Sequence, residues 1–210
     1  MPFAKNTAGK WVPSAEAGPP DAPCRLVIVD KQVDTDGTFQ RSVLNDVKTV
    51  TFDSKVTTQA ELFSSIRATH RAHGKPFVSI AVANHGPADA ATPWTIASDL
   101  AIPVSDTSAS IDAMAPLVEL LTSILEPTAV GQSHIIFMAC ALDGFNSALV
   151  PALEELYHVD FMASSDTTGG AAAGGNWKME TDDFNFAKVY CDSHRLSKYR
   201  GAMRGYGHLR

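Results

Sequence analysis

An α/β domain built on a mostly parallel sheet is the fold class this sequence predicts, and three observations carry the prediction. Short, apolar, β-branched runs recur along the chain and stop at turn residues, the pattern of strands buried on both faces. Segments with one apolar helical face separate those runs, and the order strand, helix, strand favours parallel pairing through crossovers. At 210 residues, 45% of them apolar, the chain is long enough for one domain with a sizeable core.

Residues 1–23 hold Pro2, Pro13, Pro19, Pro20 and Pro23 among Ala, Gly and Ser, and read as an extended arm or a disordered tail. Residues 24–192 read as the domain. Cys24–Asp30 is its first strand, and Val47–Asp53, whose residues alternate, suits an outer position. Thr58–His73 reads as a helix with Ala60, Phe63, Ile66 and Ala68 near helical spacing and Gly74 as its stop. The run Phe77–Ala83 is a third strand and ends in Asn84-His85-Gly86. Residues 93–104 look like a small hairpin. Ser110–Leu125 is an amphipathic helix with Met114, Leu117, Val118 and Leu121 on one face and Pro127 beyond its end. His134–Ala139 is a fourth strand and delivers Cys140, with Asp143-Gly144 soon after. A helix over Asn146–Tyr157 and a strand over Asp160–Asp166 follow, then a Gly/Ala loop and two further strands at Asn176–Glu180 and Phe184–Tyr190. Residues 193–210 carry Arg195, Lys198, Arg200, Arg204 and Arg210 with no acid, and read as a basic, solvated C-terminal tail or terminal helix, or a docking site for an acidic partner.

Composition excludes several function classes. A net charge of −6 and a pI near 5.6 argue against a nucleic-acid binder, which needs a basic face. No run of apolar residues is long enough for a membrane helix, and Met1-Pro2-Phe3-Ala4-Lys5-Asn6 lacks a signal peptide's apolar core. Cys24, Cys140 and Cys191 are an odd set with no disulfide framework, which suits a cytoplasmic or otherwise intracellular, reducing setting. The histidines show no metal-ligand spacing with Cys or acids, so neither metal nor cofactor is expected. Asp30, Asp34, Asp36 and Gly37 lack the twelfth-position Glu of a calcium loop, and Gly169-Gly170 and Gly174-Gly175 lack the Gly-Lys-Ser/Thr of a phosphate loop. Nothing in the sequence assigns an oligomeric state.

His85 and Cys140 both sit where a parallel strand ends, and open α/β sheets do their chemistry in the crevice outside the carboxyl ends of their strands. A thiol beside an imidazole is an activated nucleophile. Three phrases extend the pattern: Asn84-His85-Gly86, Met138-Ala139-Cys140, and Ala163-Ser164-Ser165-Asp166-Thr167-Thr168-Gly169 running on to Gly174-Gly175-Asn176-Trp177. Over residues 24–182 the chain resembles the caspase-like superfamily of cysteine peptidases (clan CD). Within it, the sequence is most similar to an uncharacterised caspase-like domain found at the N-terminus of large bacterial adhesin-like proteins. His85 precedes Cys140 by 55 residues, in agreement with the caspase order. Asn84 stands where the subgroup has Ser, Ala139 where it often has Gly, and Met138 and Leu142 depart from the caspase pattern Gln-Ala-Cys-x-Gly.

The resemblance implies a caspase-like three-layer sandwich with a mostly parallel central sheet flanked by helices. It implies a cysteine peptidase working as a dyad on a peptide or protein substrate, with His85 as base and then acid and Cys140 as nucleophile. Gly86 would join the Cys140 N–H in the oxyanion hole. It also places substrate-binding residues at Asp30, Asp166 and Asn84. Carboxylates there would favour cleavage after Arg or Lys, with Lys178 and the basic tail accessible to self-cleavage. The departures at Asn84, Met138 and Leu142 motivate the alternative, a catalytically silent module that binds or supports.

Overall fold

A computed structural model describes residues 24–127 and 133–203, together with the backbone of Phe3–Lys5 and Trp11–Pro13, which pair antiparallel. That small ladder stands inside the segment read as an arm; the rest of residues 1–23, and residues 204–210 of the expected tail, lie outside the described residues.

Five strands form the central sheet: β1 (Arg25–Asp30), β2 (Val47–Phe52), β3 (Ser79–Ala83), β6 (His134–Met138) and β7 (Asp160–Ala163). Their order is β2-β1-β3-β6-β7, and every pair is parallel. A two-stranded excursion, β4 (Trp94–Ala97) with β5 (Leu100–Ile102), fills the expected hairpin.

Alternation along the strands builds two cores. Leu26, Ile28, Ile80, Val82, Ile135 and Phe137 face one side, where α1 (Gln59–His73), α2 (Thr107–Ser123), α3 (Leu149–Tyr157) and the β4–β5 hairpin cover them. Val27, Val29, Ala81, Ala83, Ile136 and Met138 face the other, under the short helices Thr38–Ser42, Phe186–Tyr190 and Ser193–Leu196. The result is a three-layer α/β sandwich. α1 starts where the sequence says it should: Thr58 and Glu61 close a capping box, and Gly74 ends the helix in the left-handed conformation at φ 76°.

Two expectations are corrected. Phe184–Tyr190 is strand only at Phe184–Asn185. The Asn185 side chain then accepts the Lys188 N–H and starts a helix whose Phe186, Val189 and Tyr190 turn inward at helical spacing. The basic tail also does not leave the domain at residue 192. Leu196, Tyr199 and Met203 are buried, and the Tyr199 hydroxyl donates to the Val33 carbonyl, so the segment 193–203 packs onto the second core. The basic side chains carry the polar face of a segment whose apolar residues recur at helix-like spacing.

Sheet order places the site. β1 connects outward to β2, whereas β3 leads toward β6 and β7, so the connections diverge between β1 and β3. That divergence opens a crevice at the carboxyl ends of these strands, the usual ligand position in open α/β sheets.

Candidate active site

β3 and β6 are neighbours in register, with Ala83 opposite Met138, so the residues that follow them arrive side by side. The Asn84 N–H still bonds the Met138 carbonyl at 3.2 Å, and beyond it the ladder opens. Gly86 then lies against the backbone of Cys140: a Cβ built on Gly86 would stand 2.1 Å from the Cys140 carbonyl oxygen. Only a residue without a side chain permits that approach.

The Gly86 and Cys140 N–H groups point at the same acceptor. Gly86 N lies 2.8 Å and Cys140 N 3.3 Å from the carbonyl oxygen of Met203. Two backbone donors converging on one carbonyl oxygen have the geometry of an oxyanion hole. Met203 is held there by its own N–H, which donates to the Thr168 carbonyl at 2.9 Å. The thiol belongs to the same cluster: Cys140 Sγ lies 3.4 Å from the Thr168 carbonyl oxygen, and the Thr168 N–H approaches Sγ at 3.2 Å. Cys140 is buried, with 4% of its surface exposed.

Directly after Cys140 the chain turns through Ala141, a non-glycine residue at φ 54° and ψ 22°, whose N–H bonds the Asp166 carbonyl at 2.7 Å. The left-handed conformation costs an L-residue roughly 1–2 kcal/mol that glycine does not incur. Ala141→Gly is therefore expected to stabilise the fold by up to about 1 kcal/mol after the entropy of the unfolded chain is counted. Urea denaturation checks it, and a loss of stability would show that the turn is not strained.

His85 Nε2 lies 3.0 Å from the Gln32 carbonyl oxygen. A carbonyl only accepts, so in the neutral ring Nε2 carries the proton and Nδ1 is the basic nitrogen. Gln32 follows β1 and Gly86 follows β3, so His85 spans the crevice where the strand connections diverge. The structure sets Gly86, the residue after His85, against the backbone of Cys140.

The expected substrate-binding residues fare differently. Asp30 was expected to meet a substrate cation; it is fully buried, and its carboxylate accepts four internal hydrogen bonds. The donors are Gln32 N at 3.1 Å, Ser54 N at 3.1 Å, Ser54 Oγ at 2.6 Å and Asn84 Nδ2 at 3.0 Å. Those bonds fill a carboxylate's acceptor sites, so Asp30 organises the strand ends. Asn84 is buried between Asp30 and Trp94, whose indole N–H donates to Asn84 Oδ1 at 3.2 Å; it positions the turn before His85 and does not face a ligand. Asp166 alone is exposed, with Ser164 Oγ and Asn176 Nδ2 as donors to its carboxylate. Nearby, burial and the charge of Glu180 hold the Asp143 carboxyl above its usual range.

Sequence reasoning missed Met203, Thr168 and Gln32. The spacing of Leu196, Tyr199 and Met203 is the one signal that would have drawn the tail into the domain. Thr168 and Gln32 act through backbone atoms, which no residue type announces.

Among the described residues no cluster of His, Cys, Asp and Glu could hold a metal ion, and no helix is long and apolar enough to cross a membrane. A family model described as a domain of unknown function (DUF4347) matches residues 26–203, and the chain belongs to that family. No curated protein and no solved structure matches.

Proposed function

We propose that this DUF4347 domain is a cysteine hydrolase, a peptidase of the caspase-like kind that the sequence resembles. One observation carries the reading: the N–H groups of Gly86 and Cys140 converge on a single carbonyl oxygen beside a cysteine thiol. The dyad is the one the resemblance implies. His85 Nδ1 takes the thiol proton, Sγ attacks the carbonyl carbon, and the two N–H groups hold the oxygen as it gains charge. His85 then returns the proton to the leaving amine. Because Asp30 is internally bonded, a preference for Arg or Lys rests on Asp166 at the cleft's edge.

The silent binding module is favoured by a different observation, the closure of the cleft: the thiol is buried and the hole is filled by the chain itself. A peptidyl chloromethyl ketone separates the readings, because it offers a carbonyl for the hole and a leaving group for the thiol. It is expected to alkylate Cys140 at least about tenfold faster than Cys24 or Cys191, since one hole donor alone is worth more than that. Burial pushes the Cys191 thiol up to about 12 and raises that of Cys24, which keeps both protonated at neutral pH. Equal alkylation of the three, or peptide turnover unchanged by Cys140→Ala, would overturn the hydrolase reading; peptide binding without turnover would favour the module.

A further inference from the structure

The residue that fills the oxyanion hole belongs to this chain, and its setting is that of a substrate. Gly201 to Met203 run antiparallel to Thr168–Gly170: Gly169 bridges Ala202, Gly170 N donates to Gly201 O at 2.9 Å, and Met203 N donates to Thr168 O at 2.9 Å. This is how an extended peptide is gripped by a sheet edge, through alternate main-chain hydrogen bonds. The Gly169-Gly170 pair makes the grip possible. A Cβ on Gly169 would stand 2.7 Å from the Ala202 Cα, and one on Gly170 would stand 2.2 Å from the Tyr199 carbonyl oxygen. The thiol shares an anchor with the strand, because the Thr168 carbonyl that receives the Met203 N–H lies 3.4 Å from Sγ. The Met203 side chain is fully buried in the same apolar cluster as Cys140 and Tyr199.

We propose that the Met203–Arg204 peptide bond is the site's own substrate and is cut within the same molecule, an inference that rests on the hydrolase reading. Sγ bonds to the Met203 carbonyl carbon as His85 accepts the thiol proton, and the oxyanion forms between the Gly86 and Cys140 N–H groups. The C–N bond breaks, His85 passes its proton to the Arg204 nitrogen, and Met203 remains as a thioester on Cys140. Water, giving a proton to His85, then splits the thioester into a Met203 carboxylate and the free thiol. The residue before the cut is apolar, so self-cleavage uses a buried thioether in place of the Lys or Arg that the sequence suggests. Until the product strand leaves, the hole stays closed to other substrates.

Intact-mass measurement of the 210-residue chain tests this. The wild type is expected to lose Arg204 to Arg210 and to end at Met203, at a fractional rate unchanged by tenfold dilution, while Cys140→Ala stays whole, alone or mixed with wild type. Arg204→Pro, which makes the scissile amide tertiary, is expected to stop the cut and, because the strand then stays in the hole, to slow alkylation of Cys140 by the chloromethyl ketone relative to the cut wild type. An uncut wild type whose Cys140 is alkylated selectively overturns this proposal and leaves the hydrolase reading standing. An uncut wild type whose Cys140 is inert overturns both. Cleavage of Cys140→Ala by added wild type, or at another bond, overturns the intramolecular assignment.

Discussion

Gly86→Ala is expected to destabilise the fold by about 3 kcal/mol or more and to disable the proposed active site in the same stroke. The added Cβ would meet three backbone atoms of Cys140, at 2.1 Å from its oxygen, 2.8 Å from its nitrogen and 3.0 Å from its carbonyl carbon. Backbone cannot swing aside as a side-chain end can, so the ends of β3 and β6 must separate. For a domain of this size that loss lowers the melting temperature by roughly 6–12 °C. Separating the strand ends also pulls apart the two N–H groups aimed at Met203, and under the proposed hydrolase reading the loss of one such donor is expected to slow acyl transfer by about 10²–10³-fold. Gly74→Ala is the control: its φ of 76° is left-handed, but no atom lies within 4 Å of the added Cβ, so about 1–2 kcal/mol is expected. Thermal and urea unfolding of both variants check the contrast. A Gly86→Ala protein within 1 kcal/mol of wild type would refute the close approach of the strand ends.

Acid is expected to unfold the protein through His134, at the start of β6. The ring is fully buried, in edge contact with Phe184 at 5.5 Å between centroids. Burial, reinforced by the charge of Arg25, lowers its pKa from 6.5 to about 3. The folded state therefore keeps His134 neutral at pH values where the unfolded chain protonates it. The stability from this group is complete above pH 6.5 and is lost as pH falls toward 3, at about 1.4 kcal/mol per pH unit and about 5 kcal/mol in all. His134→Leu removes that titration and leaves the carboxylates in place. The stability difference between wild type and variant, from urea unfolding at pH 7, 5 and 4, is expected to shift toward the variant by about 1.4 kcal/mol per unit below pH 6. A pH-independent difference would mean that His134 protonates alike in both states.

The strands, the helix α1 and the strand ends that carry His85 and Cys140 were legible because each depends on residues close in sequence. An apolar run followed by Asn84-His85-Gly86 declares both a buried strand and its end, and the run into Cys140 does the same. Parallel neighbours then bring the two strand ends side by side, with Gly86 against Cys140. Short elements were harder. Phe184–Tyr190 has the β-branched and aromatic residues of a strand, and only the Asn185 cap and the core beneath it make most of it helical.

What the sequence by itself determined is the α/β class and the strand ends at which His85 and Cys140 stand, since hydrophobic period and turn chemistry are local. Tertiary structure alone decided what each residue near that pair does. Asp30 looks like a free carboxylate in sequence. It becomes an internal anchor only because β2, β1 and β3 lie side by side and bring Ser54 and Asn84 to it. Met203 looks like part of a basic tail, and its carbonyl receives the Gly86 and Cys140 N–H groups only because Gly169-Gly170 let another backbone lie flat on theirs. Both outcomes rest on hydrogen bonds between segments far apart in the chain, many of them made by main-chain atoms that every residue type shares, so no local pattern records them.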